Sequence, residues 1–470
     1  MDSRKEIRGI MTENKKFKQA LFIFKICYLV YLLLAFNAFI NGMAWMNAAS
    51  YVITAAGLLL VLGMVFQYKR YRSAYNLWFL AAFILSYVIS AALHLSFGVS
   101  GNLKGLIWLV LPILLGYISA FDMSGDEIRR ELKWLSGIYI VYCTIANLVS
   151  LTMVCWGRRF DYTDGTGKIH SIGYRWNRLW GIYDDPNHGA TISIIAMFLL
   201  IYLFSRTKKL WKKILAVLCF LINYLYLVLS NSRTGIVTLT AGVIFAGIVY
   251  AWIEKKSGRH VKRLILKLVC VIFAAGILCV GTYTLNEAYQ PLDKKIVKLM
   301  NIKKTTKPVN KANRKKDLQK DYSNGRFEIW KNGLQIVEKS PIVGIGYRNI
   351  AGYSKEYFPE GYLVKNALGV QYDSMHNLEL DVLVGQGVLG AGLFLILLGN
   401  TCIILYKRVH WVTCKDTAET IFSVSAAGAL FVAGTFLSFI FYVNAPQNLC
   451  FWLFFGYAMR FCQLGEKEKV

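Results

Sequence analysis

The sequence predicts an all-α polytopic membrane protein with about twelve transmembrane helices and a long extracytoplasmic loop between helices 9 and 10. Hydrophobic residues make up 56% of the 470 residues, a larger apolar share than a soluble domain usually has. The mean hydropathy is +0.43. The chain contains only seven prolines, so long uninterrupted helices are possible. Basic residues recur in alternate loops, as expected of a chain that crosses a membrane repeatedly.

Each predicted span is an apolar run of roughly twenty residues, which is the length needed to cross the hydrocarbon core of a bilayer. The first nine runs lie at about 20–40, 48–66, 76–97, 103–121, 132–154, 188–204, 214–230, 234–253 and 264–284. The last three lie at about 378–405, 418–442 and 446–462. Residues 1–470 are thus predicted to be a single integral membrane domain.

Lysine and arginine are concentrated in the loops that we predict to be cytoplasmic. Five lie between residues 206 and 213 and five between 255 and 263, whereas the short loops at 41–47 and 98–102 contain none. A cationic side chain costs about 2.5–3.5 kcal/mol to insert at a helix centre, so such residues set the orientation of the spans. The alternation predicts that both termini are cytoplasmic. The basic N-terminus and the run after it are interpreted as a retained signal anchor.

The composition also limits the possible partners and cofactors. The net charge of +27 would suggest nucleic acid in a soluble protein. Here the basic residues orient the spans and favour anionic headgroups, so we expect the lipid bilayer as a partner and no nucleic acid. The ten cysteines lie in or beside apolar runs or in a short loop, without C-x-x-C spacing. We therefore expect no disulfide framework, no metal and no cofactor.

The long loop covers residues 286–376 and is predicted to contain short helices. Its first part, Lys303–Lys320, has almost no apolar residues and is predicted to be a mobile tether. A loop of this length is usually functional or disordered.

The second part of the long loop predicts an amphipathic helix. Phe327, Trp330, Leu334 and Val337 recur at spacings of three, four and three, which places them on one helical face. Asn324 is the predicted N-cap, and the helix is expected to end before the proline at 341.

A second substantial outer loop, at about 156–187, is dense in aromatic residues, arginine and aspartate. Such a composition can form an interfacial anchoring belt or bind sugar rings and their hydroxyl groups, and both interpretations stay open. Arg178, Asp184 and Asp185 lie at its end and are the candidate substrate-binding residues.

Two arginines are candidate anion-binding residues. Arg233 lies in the very short turn S-N-S-R-T-G, and Arg326 opens the amphipathic helix. The planar guanidinium fork suits phosphate, and both residues lie at helix starts, where backbone N–H groups favour an anion. The alternative for a boundary arginine is a snorkelling side chain with no ligand.

His376 is the candidate general base. It lies at the start of a helix, where the helix dipole should keep the imidazole neutral and able to accept a proton. Glu379, three residues further on, could orient the ring, and it is also a candidate substrate-binding residue. The alternative for a single histidine at this position is a capping or packing role.

These motifs together resemble the O-antigen polymerase and O-antigen ligase superfamily of bacterial membrane glycosyltransferases. The resemblance rests on LSNSRTG, NGRFEIW, SPIVGIGYRN and SMHNLELDVLVGQGVLG, at about 230–392, and on RLWGIYDDPNHGA upstream. The predicted spans with a large outer loop after the ninth extend it to the whole chain.

The resemblance implies a metal-independent glycosyltransferase that acts at the bacterial cytoplasmic (inner) membrane. It implies that glycan passes from an undecaprenyl-diphosphate-linked oligosaccharide to a sugar hydroxyl, with Arg233 and Arg326 holding the diphosphate and His376 acting as the base. A flippase and a chain-length regulator are implied as candidate partners.

Three functions stay open on the sequence. The Asp-Pro-Asn-His segment favours a polymerase of a capsular polysaccharide, O-antigen or exopolysaccharide over an O-antigen ligase, which passes finished polysaccharide to lipid A core or another acceptor. A transporter or flippase of lipid-linked sugars is the alternative of another class, although a transporter does not need the long outer loop.

Overall fold

The computed structural model of the chain describes residues 2–255, 261–299, 325–366 and 369–468. The longer helices in these ranges are α1 (Asp2–Ala35), α2 (Ala44–Phe66), α3 (Leu77–Leu93), α4 (Val99–Leu111), α5 (Gly125–Cys155), α6 (Pro186–Arg206), α7 (Leu210–Ser230), α8 (Arg233–Lys255), α9 (Val261–Leu299), α10 (Arg326–Lys339), α11 (Ile350–Tyr357), α12 (Leu378–Arg408), α13 (Thr417–Leu437) and α14 (Pro446–Lys467).

Helix α4 does not stop at Leu111. It continues through a π-helical segment, Pro112–Tyr117, and a 3-10 turn, Ile118–Asp122, because Pro112 has no N–H for the regular ladder. The remaining short pieces are the single turn Ala38–Asn41 and the 3-10 turns Tyr68–Arg70, Leu95–Phe97, Tyr347–Asn349 and Val409–Trp411.

Each of the predicted apolar runs coincides largely with a helix, but the run at 20–40 is interrupted at residues 36–37 and the run at 418–442 extends past the end of α13 at Leu437. Of the helices in the described ranges, ten are long and apolar enough to cross a membrane. Helix α3 has 17 residues and is slightly shorter than a typical span. Helix α14 carries the buried polar residues Gln447, Asn448 and Arg460, which lower its apolar character. The predicted class, an all-α polytopic membrane protein, is confirmed.

The most buried helices are α6, α13 and α14, and 18 of the 22 residues of α14 are buried. Within their most apolar windows, 72% of the residues of α6 and 61% of those of α13 are buried, against 11% for both α2 and α9. The two peripheral helices therefore present most of their apolar surface outward, where only lipid can cover it.

The helix ends separate into two faces. One face carries ion pairs between the basic loops and the carboxylates beside them, such as Arg70 with Asp122 at 2.5 Å and Arg408 with Glu466 at 2.9 Å. The start of α12 and the ends of α7 and α13 lie at the opposite face. The motif residues Arg178, Arg233, Arg326 and His376 lie at this second face, whereas the segments SPIVGIG and VGQG meet inside the fold.

The outer loop at 156–187 forms a small antiparallel sheet, which the sequence reading did not predict. Strand β1 (Arg159–Thr163) pairs with β2 (Ile169–Arg175), and β2 pairs with β3 (Arg178–Gly181). The Asp164 carboxylate accepts hydrogen bonds from the N–H groups of Thr166 (2.9 Å) and Lys168 (3.0 Å) and thereby closes the first turn. The strands are short and mix aromatic, charged and apolar residues, so no regular alternation of polar and apolar residues predicted them.

The long loop begins later than predicted, and its amphipathic helix ends at Lys339, before the proline at 341 as expected. Helix α9 continues to Leu299, well past the expected boundary at Asn286. The segment Lys303–Lys320 and the predicted cap Asn324 lie outside the described residues. Helix α10 follows Gly325, whose φ of 78° is readily adopted only by glycine.

The predicted apolar face of α10 is wrong in part. The residues that it buries against the bundle are Ile329, Gly333 and Ile336, whereas Phe327 and Leu334 are 49% and 48% exposed. The predicted residues and the buried residues both repeat with helical spacing. The packing of α10 on α12 buries the set that contains Gly333. A Cβ at Gly333 would lie 2.5 Å from the Met375 sulfur, so close approach requires glycine here.

Helix α12 is broken at Gly387, which has φ 62° and ψ −164°. The segment SPIVGIG crosses the helix at this break: the N–H groups of Ile345 and Gly346 donate to the carbonyl oxygens of Val384 (3.0 Å) and Gly385 (2.9 Å). A Cβ on Gly344 would lie 2.5 Å from the backbone nitrogen of Gln386. The glycines of two motifs thus allow two backbones to meet inside the fold.

Candidate active site on the motif-bearing face

Strand β3 and the S-N-S-R-T-G turn are joined through Arg178. Its Nε donates to the carbonyl oxygen of Ser230 (3.0 Å), and its Nη2 donates to Oδ1 of Asn187 (2.6 Å). The Ser232 hydroxyl donates to the same Asn187 oxygen at 2.9 Å. The end of the outer loop at 156–187 and the S-N-S-R-T-G turn are therefore one structural unit, in which Arg178 holds the turn.

The two adjacent aspartates have different surroundings. Asp185 caps α6, where its carboxylate accepts hydrogen bonds from the N–H groups of Asn187 (2.7 Å) and His188 (3.1 Å). Asp184 faces the sheet, where it contacts Lys168 and lies 2.7 Å from Nδ1 of His170. Asp185 is thus directed toward the arginines, and Asp184 stabilises the sheet.

Arg233 is the first residue of α8, as the sequence predicted. The Ser232 hydroxyl accepts a hydrogen bond from the N–H of Gly235 at 3.0 Å and so caps the helix start. The half-buried Arg233 side chain lines a crevice of about 160 Å³ together with Asn231, Tyr283 and Asn286. The arginine therefore lies beside a recess at the bundle surface.

Arg326 opens α10 and reaches the end of α13. Its Nη2 donates to the carbonyl oxygen of Phe436 at 3.1 Å, and its guanidinium lies 5.8 Å from the centre of the Phe436 ring. Burial holds the pKa of Arg326 below its usual value, and the charge of Arg233 lowers this pKa further, whereas Asp185 acts in the opposite direction.

Arg178 responds to the same neighbours. Burial lowers its pKa, Asp185 opposes this shift, and Arg233 adds to it. Since charges act on one another strongly only over short distances in a partly desolvated site, three arginines and Asp185 form one electrostatic cluster. Such an excess of positive charge is suited to binding an anion.

His376 lies in a turn that a buried carboxylate holds. The Asp381 carboxylate accepts hydrogen bonds from the N–H of Met375 (2.7 Å) and the hydroxyl of Ser374 (2.8 Å), and the N–H of His376 donates to the Ser374 hydroxyl at 3.0 Å. His376 itself has a φ of 48°, a strained value that the turn maintains. The helix start is capped one residue later, by Asn377.

The pKa of the His376 imidazole is lowered, which favours its neutral form, although the main cause differs from the one predicted. Burial lowers its pKa first, and the positive charge of Arg326 lowers it further, whereas Asp373 and Asp185 raise it. The sequence analysis attributed this effect to the helix dipole. The dependence on Arg326 and Asp185 connects the histidine to the arginine cluster.

Among the described residues, no hydrogen bond joins Glu379 to His376. The expected orientation of the ring by Glu379 is therefore not seen, and the ring instead meets the edge of Tyr372 at a centroid distance of 5.7 Å. The sequence reading missed Asp381, which is 1% exposed. The signal was available, because a carboxylate inside an apolar run needs partners.

The site that results combines three cations, one capping aspartate and a neutral histidine at one membrane surface. Such an arrangement can bind a diphosphate, stabilise negative charge that develops on it as a leaving group, and accept a proton from a hydroxyl group. These properties are those expected of a membrane-embedded group-transfer enzyme.

The comparisons with known proteins agree with this class. Residues 216–395 match the family described as O-antigen ligase. The chain is also 26% identical over 332 residues to a general O-oligosaccharyltransferase of Acinetobacter baylyi; the match covers 68% of this chain and 50% of that protein. The chain thus spans about half the length of this curated relative. The predicted resemblance to the O-antigen polymerase and ligase superfamily is confirmed, and the apolar helices agree with a multi-pass membrane protein.

Proposed function

We propose that the protein is a polymerase of a capsular polysaccharide, O-antigen or exopolysaccharide. It takes glycan from an undecaprenyl-diphosphate-linked donor and transfers it to a sugar hydroxyl on the outer face of the cytoplasmic membrane, without a metal ion. The observation that carries this proposal is the meeting of distant motifs at one face. Arg178 hydrogen-bonds the turn that precedes Arg233, and Trp330, on the helix that Arg326 opens, hydrogen-bonds the turn that carries His376.

In the proposed reaction, the hydroxyl oxygen of the acceptor sugar attacks the anomeric carbon of the donor glycan. The C–O bond to the diphosphate breaks, and the polyprenyl diphosphate leaves with the electron pair. Arg233 and Arg326 stabilise the charge that develops on it. The hydroxyl proton passes to a ring nitrogen of His376, which is neutral before the reaction. Arg178 positions Arg233 by holding the turn beside it, and the charge of Asp185 stabilises the arginines. Asp184 and Glu379 contact the substrate at the edge of the site.

The orientation in the membrane is part of the proposal. Both termini and the basic loops are cytoplasmic, and the motif-bearing face is extracytoplasmic, because cationic loops are retained inside. Cysteine labelling of a Cys-free variant tests this orientation. Lys331→Cys on α10 should be labelled from outside, and Lys209→Cys only after the membrane is opened. Labelling of position 209 from outside would reverse the assignment.

A ligase is the second candidate function. The matched family is described as O-antigen ligase, and the A. baylyi relative is named an oligosaccharyltransferase. As a ligase, this protein would use the same donor and the same base but deliver the finished glycan to lipid A core or another acceptor.

Reconstitution with a defined donor separates these functions. Purified protein in lipid vesicles is given lipid-linked repeat units and EDTA, with or without an added acceptor. A ladder of products that needs no added acceptor is expected of a polymerase, and a single product that requires it indicates a ligase. Movement of the donor across the bilayer without any new glycosidic bond would contradict both and favour a flippase.

A further inference from the structure

A cleft on the outer surface lies apart from the arginine cluster and has no role in the transfer chemistry. It lies between α10 and the segment at 357–365, and its volume is about 590 Å³. This volume is within the range of small-molecule sites. Its walls carry aromatic rings and amide or carboxylate groups, among them Glu328, Asn332, Gln335, Tyr357, Phe358 and Tyr362.

The shape of the cleft is fixed by contacts of α10 with the opposite wall. The Asn332 side chain accepts a hydrogen bond from the N–H of Leu363 (3.1 Å) and donates to Oε1 of Gln335 (2.7 Å). The Lys339 ammonium lies 5.0 Å from the ring centre of Tyr357 and 5.1 Å from that of Phe358. Both walls are therefore connected, and the Tyr357 ring is held while it stays 45% exposed.

The chemistry of the lining favours a neutral, polyhydroxylated ligand. Glu328 and Glu360 balance Lys331 and Lys365 at the rim, so the cleft has no net charge that would select a phosphate or another anion. Exposed aromatic bodies beside amide and carboxylate groups can stack on a sugar ring while they hydrogen-bond its hydroxyl groups. A lipid chain would instead require a mainly apolar wall.

Aromatic contacts link this cleft to the candidate base. The ring of Tyr362, on the cleft wall, is stacked on that of Tyr372 with centroids 6.1 Å apart, and Tyr372 meets His376 at 5.7 Å. A Cβ on Gly325 would lie 2.4 Å from the Tyr362 hydroxyl oxygen. Tyr362 therefore reaches the start of α10, next to Arg326.

We infer that this cleft binds an oligosaccharide segment of the glycan substrate and directs it along Tyr362 and Tyr372 toward His376. The inference rests on the proposed function, because it makes the cleft the sugar-binding part of the same site. A chain of sugars bound there has one end at the cleft and the other at the reacting hydroxyl. The cleft thus contributes to the choice of glycan, and the arginines bind only the diphosphate that all donors share.

The test measures sugar binding separately from transfer. The probe is the polysaccharide of the source strain, hydrolysed to single repeat units that carry no lipid or phosphate. Binding to purified protein in lipid nanodiscs is followed by saturation-transfer NMR and by titration. Tyr357→Ala and Gln335→Ala should each weaken binding about tenfold, which corresponds to about 1.4 kcal/mol. The lipid-facing control Tyr51→Ala, at a side chain 75% exposed, should bind like the parental protein.

The outcomes distinguish the cleft from the proposed function. The parental protein could bind the repeat unit, and the two cleft variants could lose this binding, although no glycosidic bond is formed. That result would support the cleft as a sugar site and contradict the proposed transfer reaction. Equal binding by all variants, or no binding to the parental protein, would contradict the sugar-binding role of the cleft. The proposed transfer reaction would not be affected by this result, because it is measured separately. Displacement of the repeat unit by phosphatidylglycerol headgroup would make the cleft a lipid site and also overturn the inference.

Discussion

The indole Nε1 of Trp330 donates a hydrogen bond of 3.0 Å to the backbone carbonyl oxygen of Met375. This bond connects the helix that begins with Arg326 to the turn that carries His376. Arg326, the candidate diphosphate-binding residue, and His376, the candidate base, are therefore connected through this hydrogen bond, although about fifty residues separate them along the chain.

Removal of this hydrogen bond should reduce activity without loss of the fold. Trp330→Phe keeps an aromatic ring but removes the donor, which is worth about 0.5–1.5 kcal/mol. We expect glycan transfer to fall about three- to tenfold, as measured with purified protein and lipid-linked donor. Trp78→Phe, at a side chain 77% exposed on α3, is the matched control. Equal activity of both variants would show that the contact does not position the site.

The two arginines should not tolerate replacement by lysine. Arg233→Lys and Arg326→Lys keep the charge but lose the planar fork that makes two N–H contacts to a diphosphate. Transfer should fall about tenfold or more in each variant, together with weaker donor binding. Arg158→Lys, at an exposed arginine before β1, should retain full activity. Parental activity of the two site variants would indicate that they act as simple point charges.

The pH dependence of transfer should report the interaction between Arg326 and His376. The base must be neutral, so the rate should fall as the pH drops through the pKa of His376, which burial and Arg326 hold below 6.5. Arg326→Gln removes a positive charge that opposes protonation, so the pKa should rise and the acid limb should move to higher pH. Arg326→Lys keeps the charge and should leave the limb in place. The same limb in both variants would contradict the coupling.

On the opposite face of the bundle, a buried ion pair should govern stability. The Lys25 ammonium lies 2.7 Å from the Glu131 carboxylate, and their side chains are only 2% and 4% exposed. Lys25→Ala leaves the carboxylate buried without its cation, so we expect a loss of about 3–5 kcal/mol in the free energy of unfolding. Thermal unfolding in detergent measures this effect. Lys212→Ala, at an exposed lysine, should have no effect, and a similar loss in both variants would contradict the role of burial.

The fold class followed from the sequence because apolar run length and charge alternation are imposed by the bilayer itself. The sheet at 159–181 did not, since its strands are short and are stabilised by particular contacts such as that of Asp164 with its turn. The apolar face of α10 was ambiguous because two sets of residues had the same spacing. Only tertiary packing against Met375 selects Gly333.

The candidate site was predictable in its residue types but not in its connections. Arg233, Arg326 and His376 were recognised because each lies at a helix start in a short polar motif. Asp381, which holds the His376 turn, was missed because candidate residues were sought at helix starts, although a carboxylate inside an apolar run indicates a need for partners. The contact of Arg326 with Phe436 joins residues 110 positions apart, which local patterns cannot reveal.

The central claim is that His376 accepts the proton of the attacking hydroxyl group. The most direct measurement is single-turnover transfer from a lipid-linked donor by His376→Ala, alongside donor binding, with EDTA present throughout. The account predicts that the chemical step slows by about 10²–10⁴-fold while donor binding is unchanged, and that the control His94→Ala retains the parental rate. Transfer by His376→Ala at the parental rate would contradict the account, and loss of parental activity in EDTA would contradict its metal-free chemistry.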